Sequence, residues 1–371
     1  MVAASTDAEP QTGSGIAAPD ADVLVVGLGP AGACAAAAAA RGGARVVAID
    51  RKREAGVPVQ CAEFVPAMIG QEVAAVAIAK RQPIRAMTTF VEDQPPHLKE
   101  NFPGVMIDRV AFDAALVEAA RAAGAACWFA RQLRRFDADG TAHLSDGSTI
   151  RARVIVGADG PGSPVGEAIG HPVTEIAESR QMTVRLLQPF AETDIFLTSQ
   201  LPGGYAWLFP KGDVANLGLG GAPAHKARFK PLLDDLHRQL ADQGRVGGDV
   251  LGYTGGAIPV GGPVDPVGRL GDALVLLAGD AAGLTNPITG AGINAAVVSG
   301  ELAGEAAARW LKGRADAAVD YSDEIAALFG ASLARAVERR RELMRIYEGG
   351  GRPRAADLTR SWIAFPEYWA A

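Results

Sequence analysis

Three glycines with the spacing G-x-G-x-x-G, at Gly27, Gly29 and Gly32, could hold the phosphates of a dinucleotide. In such a unit the first glycine makes a tight turn, the second lets the backbone approach a pyrophosphate, and the third lets a helix pack closely on a strand. Asp50 follows about 20 residues later, where a carboxylate can accept hydrogen bonds from ribose hydroxyls. The spacing therefore predicts a dinucleotide site.

The residues around these glycines have the pattern of a strand, a helix and a second strand. Residues 23–26 are apolar and β-branched, and an alanine-rich stretch of high helix propensity follows the glycines. Residues 45–49 predict the next strand, with Asp50 at its end. The start of the helix offers unpaired N–H groups and a positive dipole end to phosphates. Glycine and proline interrupt the uncharged stretch 23–40, which excludes a membrane span.

Two further acids follow strand-like runs. Asp159-Gly160 comes after residues 154–156, and Asp280 comes after residues 273–277. Ligands of open α/β sheets bind outside the carboxyl ends of the strands, although an Asp-Gly pair is equally a plain turn. The uncharged loop after Asp280 leads into a helix predicted to end near residue 311. A bare backbone beside the positive end of a helix can stabilise negative charge on a bound ring.

Cys61 and Arg109 are candidates with two interpretations each. Cys61 lies in a loop where the strand and helix patterns stop, but a single cysteine is equally a small buried hydrophobe. Arg109 stands at the start of a predicted helix, where a cation is unfavourable for the helix. We therefore expect Arg109 to meet a phosphate or a carboxylate.

The pattern changes from about residue 175 to residue 262. Short alternating runs predict an antiparallel sheet with one helix near residues 229–243, which we interpret as a second lobe. Tyr205, Trp207 and Phe209 alternate along one predicted strand, so their side chains share a face. That face is either an ordinary buried sheet surface or the wall of a pocket for an apolar substrate.

Composition excludes several functions. The 371 residues carry a net charge of −6 and no basic stripe, which argues against nucleic acid as a partner. The three cysteines form no C-x-x-C pair and fit a reduced, cytoplasmic protein, and the five histidines lack metal-ligand spacing, so we predict no metal. Residues 1–21 have no apolar core of a signal peptide and predict a disordered leader.

The C-terminal part predicts a long amphipathic helix over residues 320–347, with three consecutive arginines at 339–341. The tail beyond it carries Trp362, Phe365, Tyr368 and Trp369. Helix and tail either pack on the body or contact a membrane surface peripherally, since Trp and Arg suit that interface.

Five motifs together resemble a known group of flavoproteins. G-L-G-P-A-G (27–32), G-A-D-G-x-x-S (157–163) and A-G-D-A-A-G-x-x-x-P-x-x-G-x-G-I (278–293) resemble the flavoprotein hydroxylase fold of the p-hydroxybenzoate hydroxylase type. P-V-Q-C-A-E (58–63) and Y-A-W-L-F-P-K (205–211) resemble signatures of the geranylgeranyl reductase family. The resemblance covers residues 22–311. Gly166, where an arginine is common, and Ala291, where an acid is expected, depart from the pattern.

The resemblance implies an α/β fold with a Rossmann-like FAD-binding domain, an inserted antiparallel-sheet substrate domain and a C-terminal helical segment. The expected divisions are residues 22–90, 104–174 and 263–311 for the FAD-binding domain, 91–103 and 175–262 for the substrate domain, and 312–371 for the C-terminal segment.

The resemblance also implies roles for single residues. The ADP half of FAD would lie on Gly27, Gly29, Ala31, Gly32, Asp50 and Arg51. The pyrophosphate and ribityl chain would be held by Arg109, Asp159, Gly160 and Asp280, and the isoalloxazine would face Gly290, Gly292 and Ile293. Cys61, the expected catalytic residue, and Ala62 would lie near the ring. Tyr205, Trp207 and Phe209 would line the substrate channel.

The implied activity is the reduction of isoprenoid double bonds by hydride transfer from reduced FAD, with NAD(P)H or a ferredoxin as electron donor. The alternative is an FAD-dependent monooxygenase that hydroxylates an aromatic ring or a protein side chain. A flavin halogenase fits less well, because only Trp207 matches its W-x-W-x-I-P motif. A non-catalytic flavoprotein or membrane-bound scaffold would require the C-terminal tail, rather than the flavin site, to carry the function.

Overall fold

The computed structural model describes residues 21–67 and 74–370. The strands in chain order are β1 (Ala21–Val26), β2 (Val46–Ile49), β3 (Phe64–Pro66), β4 (Lys80–Ile84), β5 (Ala86–Val91), β6 (His97–Lys99), β7 (Gly104–Ile107), β8 (Ala126–Trp128), β9 (Leu133–Phe136), β10 (Ala142–Leu144), β11 (Thr149–Ile150), β12 (Ala152–Gly157), β13 (Ile176–Leu186), β14 (Glu192–Leu197), β15 (Tyr205–Lys211), β16 (Val214–Gly221), β17 (Val246–Thr254), β18 (Ala257–Pro259), β19 (Val267–Leu270) and β20 (Ala273–Leu277). The α-helices are α1 (Pro30–Arg41), α2 (Ala74–Ala79), α3 (Arg109–Ala122), α4 (Pro164–Ala168), α5 (Phe229–Asp242), α6 (Ile293–Leu311), α7 (Ala317–Glu348), α8 (Ala355–Arg360) and α9 (Pro366–Trp369). Short 3₁₀ helices cover Pro223–Arg228 and Gly279–Ala282. The predicted leader, 1–21, lies outside the described residues except for Ala21, which begins β1.

The first sheet has the order β19-β20-β12-β1-β2-β8. Its pairs are parallel except for the antiparallel edge pair of β19 with β20. Strands β1, β12 and β20 are almost wholly buried, because helices cover both faces of such a sheet. The apolar runs at 23–26, 154–156 and 273–277 fall within these strands, as predicted.

Helices α1 and α6 approach almost to backbone contact. A Cβ atom on Gly300 would overlap the carbonyl oxygen of Ala31, and one on Gly304 would overlap that of Ala35. Glycine and alanine line this crossing because any larger side chain would push the helices apart. The crossing fixes the start of α1 relative to α6.

The second sheet has the order β17-β13-β16-β15-β14-β5-β6, with β18 also paired to β13. Its pairs are antiparallel except for the parallel pair of β14 with β5. Helix α5 covers one face, where Phe229 and Leu233 are buried. This confirms the predicted antiparallel sheet and its helix.

Strand pairing differs from the predicted domain boundary at residue 90. Residues 86–90 fall in the predicted FAD-binding part, but the strand Ala86–Val91 hydrogen-bonds along its length to β14 of the second sheet. Residues 104–107 pair with β3 and β4 in a separate three-stranded sheet, and all three of these strands lie within the predicted FAD-binding divisions. Pairing between strands about 100 residues apart leaves no local pattern, so the sequence alone does not assign this strand to the second sheet. The domain divisions stay predictions.

The C-terminal segment packs on the body. The Tyr321 hydroxyl in α7 donates a hydrogen bond of 2.6 Å to the carbonyl of Leu277 in the first sheet. Trp362 and Tyr368 are buried, whereas Trp369 is 55% exposed. At Trp362 and Tyr368 the tail thus packs on the body, which is the first of its two predicted arrangements. Within residues 21–67 and 74–370, no helix is both long and apolar enough to cross a bilayer.

We expect Gly300→Ala to lower the free energy of unfolding by about 1–3 kcal/mol, because the new methyl group overlaps the backbone of α1. Urea unfolding of the FAD-saturated protein measures the change. The control is Gly330→Ala in α7, where a Cβ atom meets nothing within 4 Å. It should raise stability by up to about 1 kcal/mol through helix propensity. A Gly300→Ala protein as stable as the parent would contradict the close crossing.

Candidate active site

One cavity of about 550 Å³ extends between the two sheets. It brings together the predicted site residues Gly27, Gly29, Ala31, Asp50, Arg51, Cys61, Ala62, Arg109, Asp159, Gly160, Tyr205, Trp207, Asp280, Gly290, Gly292 and Ile293. Gly32 and Phe209 do not line it. A Cβ atom on Gly32 would overlap the carbonyl oxygen of Gly27, so Gly32 allows packing rather than ligand contact. Phe209 packs against Phe64, with ring centroids 5.9 Å apart.

The turn between β1 and α1 forms one end of the cavity. Gly27 has a φ of +98°, and its Cβ position is filled by the carbonyl of Ala158. Gly29, the residue before α1, has no neighbour within 4 Å of its Cβ position, which leaves an open cradle. The Asp50 carboxylate lies across the turn and accepts hydrogen bonds of 2.8 Å from the Leu28 and Lys52 amides. An open cradle at a helix start, with an acid beside it, fits the pyrophosphate and ribose of FAD.

Asp159 uses its side chain within the protein. One carboxylate oxygen accepts from the Ser163 hydroxyl at 2.5 Å and the other from the Val165 amide at 3.1 Å, beside the start of α4. Burial raises the pKa of Asp159 to about 6. Asp159 and Gly160 therefore face the cavity mainly with their backbone atoms, because the Asp159 carboxylate is bound within the protein.

Asp280 and the glycine-rich loop lie beside the start of α6. The Thr285 hydroxyl donates to Asp280 at 2.5 Å, and burial raises the pKa of this carboxyl. A Cβ atom on Gly292 would lie 2.5 Å from the Thr285 hydroxyl oxygen, so only glycine fits there. Ile293, the first residue of α6, lines the cavity. The helix start thus directs unpaired N–H groups toward the space where a ring could bind.

Arg109 meets a carboxylate, one of its two predicted partners. Its guanidinium forms a two-point ion pair with Asp113, at 2.8 and 2.9 Å. Although burial disfavours its charge, Asp113 and the Cys61 side chain raise the pKa of Arg109 above its ordinary value. Arg109 is therefore a fixed cation next to Cys61.

Glu63 belongs to the 58–63 motif, but the sequence reasoning assigned site roles there only to Cys61 and Ala62. Glu63 is 4% exposed, and its carboxylate accepts hydrogen bonds from Lys211 (2.6 Å), the Asn216 side chain (2.9 Å) and the Arg109 amide (3.0 Å). Lys211 and Asn216 belong to the second sheet, so this cluster ties the 58–63 loop to it. An acid directly before the apolar run of β3 was the signal that could have found it.

The same cluster holds Cys61 in place. The Glu63 amide donates to the Cys61 sulfur at 3.2 Å, while the Gln181 side chain donates to the Cys61 carbonyl at 3.2 Å. Asn216 donates to the carbonyl of Ala62 at 3.1 Å. Cys61 and Ala62 therefore face the cavity from a rigid loop.

Aromatic side chains form the wall at the second sheet. The Tyr205 hydroxyl donates to the Thr289 carbonyl at 2.5 Å, and the Trp207 indole donates to Gln181 at 3.0 Å. Burial raises the pKa of Tyr205. Trp362, which comes from the C-terminal segment, packs on Tyr205 with ring centroids 4.7 Å apart. Sequence reasoning did not connect Trp362 with this wall.

Two family models match the chain. The FAD binding domain matches residues 20–204, and the geranylgeranyl reductase catalytic domain matches residues 180–256. Digeranylgeranylglycerophospholipid reductase 3 of Methanosphaera stadtmanae is 32% identical over 329 residues, which are 82% of this chain and 80% of that protein. The chain belongs to the geranylgeranyl reductase family. Digeranylgeranylglycerophospholipid reductase 1 of Methanopyrus kandleri is 34% identical, over 77% of this chain and 80% of the relative.

Solved structures share the fold. A geranylgeranyl bacteriochlorophyll reductase-like protein from Thermoplasma acidophilum matches 89% of this chain and 91% of its own, with a TM-score of 0.76 and 24% identity. A probable FAD-dependent monooxygenase from Pseudomonas aeruginosa matches 89% of this chain and 99% of its own, with a TM-score of 0.67 and 20% identity. These findings confirm the predicted fold class, and the family makes this reductase an FAD-dependent oxidoreductase.

Metal ligands form no cluster within the described parts of this reductase: no three His, Cys, Asp or Glu side chains there could hold an ion. The roles predicted for single cavity residues remain predictions, which the following variants test.

We expect Gly27→Ala to weaken FAD binding at least about 100-fold, because its methyl group must displace the Ala158 backbone, beyond the cost of about 1–2 kcal/mol for the left-handed conformation. FAD content after purification and flavin fluorescence titration measure the loss. Gly43→Ala is the matched control: its φ of +92° imposes similar strain, but nothing lies within 4 Å of the new methyl group. Equal FAD affinity in both variants would contradict the role of Gly27.

We expect Glu63→Gln to lower the free energy of unfolding by about 2–3 kcal/mol, because it leaves Lys211, whose side chain is only 18% exposed, without its charged partner. Urea unfolding measures this change. Glu178→Gln breaks an ion pair whose lysine, Lys226, is 65% exposed, so it should cost less than about 1 kcal/mol. Similar costs for the two variants would contradict a buried Glu63 cluster.

Proposed function

We propose that this reductase saturates isoprenoid double bonds in the geranylgeranyl chain of a lipid, a diphosphate or a pigment. The observation that carries the proposal is that one cavity joins the nucleotide cradle at Gly29 to the aromatic wall of Tyr205 and Trp207. When bound, reduced FAD would supply a hydride to one alkene carbon, and a proton would reach the other. The names of the reductase relatives support this substrate class, because each name describes a substrate with geranylgeranyl groups.

The wall residues bind the substrate by excluding water from it. Tyr205 and Trp207 each have their polar atom bound within the protein, so they present ring surface to the cavity. Each buried CH₂-sized group of a prenyl chain contributes about 0.8 kcal/mol, and a few isoprene units therefore suffice for binding. An unactivated alkene develops no oxyanion, so the site needs no donor for one.

Cys61 is our proposed catalytic residue. Its sulfur is held by the Glu63 amide, and its side chain interacts with the Arg109 cation at the edge of the cavity. We propose NAD(P)H or a ferredoxin as the source of electrons. The monooxygenase alternative has less support, because the solved monooxygenase shares only the fold at 20% identity.

The test is anaerobic. The flavin is reduced with dithionite, geranylgeranyl diphosphate or a geranylgeranyl lipid is added, and flavin absorbance is followed. We expect reoxidation by the prenyl compound and a mass gain of two hydrogens per bond reduced. Flavin that stays reduced with every prenyl compound and reoxidises only in air would favour the monooxygenase.

Two variants test the aromatic wall in the same assay. Trp207→Leu should lower kcat/KM at least about tenfold, because it removes a ring that lines the cavity. Phe209→Leu, two residues along the same strand but outside the cavity, should change it less than about threefold. FAD content is measured for both, and equal losses would contradict a substrate-contacting role for Trp207.

A further inference from the structure

The three consecutive arginines of α7 have three different environments. Arg339 is buried and forms an ion pair of 2.9 Å with Glu342. Arg341 is exposed, and its guanidinium lies 3.7 Å from Glu175. Arg340 lines the cavity between the two sheets. The middle arginine alone of the three thus faces the candidate active site.

Arg340 is a buried cation whose partners are neutral. Its residue is 9% exposed, and Nη1 donates to the carbonyls of Gly203 at 2.6 Å and Pro287 at 3.4 Å. Along the described chain no carboxylate lies within 4 Å of it, and its Nε and Nη2 atoms donate no hydrogen bond. Burial lowers the pKa of Arg340, which reflects the cost of its incompletely paired charge.

The surroundings of Arg340 place it with the substrate-facing part of the cavity. Gly203 lies two residues before Tyr205, where the aromatic strand begins, and Pro287 belongs to the loop whose Thr289 carbonyl accepts from Tyr205. The nucleotide cradle, by contrast, is formed by β1 and α1. A guanidinium with unused N–H groups in such a place can bind two oxygens of a phosphate at once.

We propose that Arg340 is an anion-binding point of the substrate cavity, where it binds the phosphate or diphosphate group at the polar end of a prenyl substrate. This rests on the proposed function, and it adds a specificity: phosphorylated prenyl compounds are preferred to their neutral alcohols. The carbonyls of Gly203 and Pro287 hold the guanidinium in position, which leaves Nε and Nη2 for the ligand.

The first experiment compares geranylgeranyl diphosphate with geranylgeraniol in the anaerobic assay, using the FAD-loaded protein. Arg340→Gln should raise KM for the diphosphate about 10- to 100-fold, with kcat and the KM for the alcohol nearly unchanged. Arg341→Gln, which changes the neighbouring but exposed arginine, should leave both KM values unchanged. An equal rise in KM for both substrates would mean that Arg340 only connects two loops. An unchanged KM together with a shifted flavin potential would assign Arg340 to the cofactor. Either result overturns the proposal.

The second experiment does not require turnover. Inorganic pyrophosphate is titrated into the FAD-loaded protein by calorimetry; the parent and Arg341→Gln should bind it, Arg340→Gln should not, and Arg340→Lys should recover part of the affinity. Thermal unfolding and FAD content establish that the variants are folded. If the parent reduces no prenyl compound, the proposed function fails while this titration still decides the anion site. Equal pyrophosphate binding by parent and Arg340→Gln, or none by the parent, overturns it.

Discussion

The site depends on backbone contact between α1 and its neighbours, which glycine alone permits. Gly32 lies against Gly27, and Gly300 and Gly304 of α6 lie against the backbone of α1. These contacts bring the first residues of α1 and α6 to one cavity. Two helix starts, with their unpaired N–H groups, therefore lie at the same cavity. The other features of the site are arranged around these two helix starts.

A charge cluster beside the cavity connects the 58–63 loop to the second sheet. Glu63 precedes β3, whereas Lys211 and Asn216 lie in β15 and near the start of β16 of the second sheet. The ion pair of Lys211 with the buried Glu63 carboxylate favours one geometry, because separation would leave the carboxylate without its cation in a medium of low dielectric constant. Cys61, two residues before Glu63, is consequently held relative to the second sheet, whose aromatic side chains line the cavity.

The sequence predicted features that depend on neighbouring residues and missed those that depend on distant ones. The turn at Gly27, the strand with Tyr205 and the glycine loop before Ile293 each have a short local pattern with a physical reason behind it. Membership of β5 in the second sheet, the pairing of Glu63 with Lys211 and the contact of Trp362 with Tyr205 join residues far apart in the chain. Such contacts follow from the three-dimensional packing, in which local pattern has no part. Phe209 shows the same limit, because alternation predicts a shared face but not where the cavity ends.

The contact of Trp362 with Tyr205 has a consequence for synthesis on the ribosome. All motifs of the cofactor cradle have been translated once α6 is complete, and strands β1, β12 and β20 can pair by then. The aromatic wall, however, still lacks Trp362, which must come back from the last part of the chain to cover Tyr205. A nascent chain can therefore acquire its nucleotide cradle before Trp362 covers Tyr205.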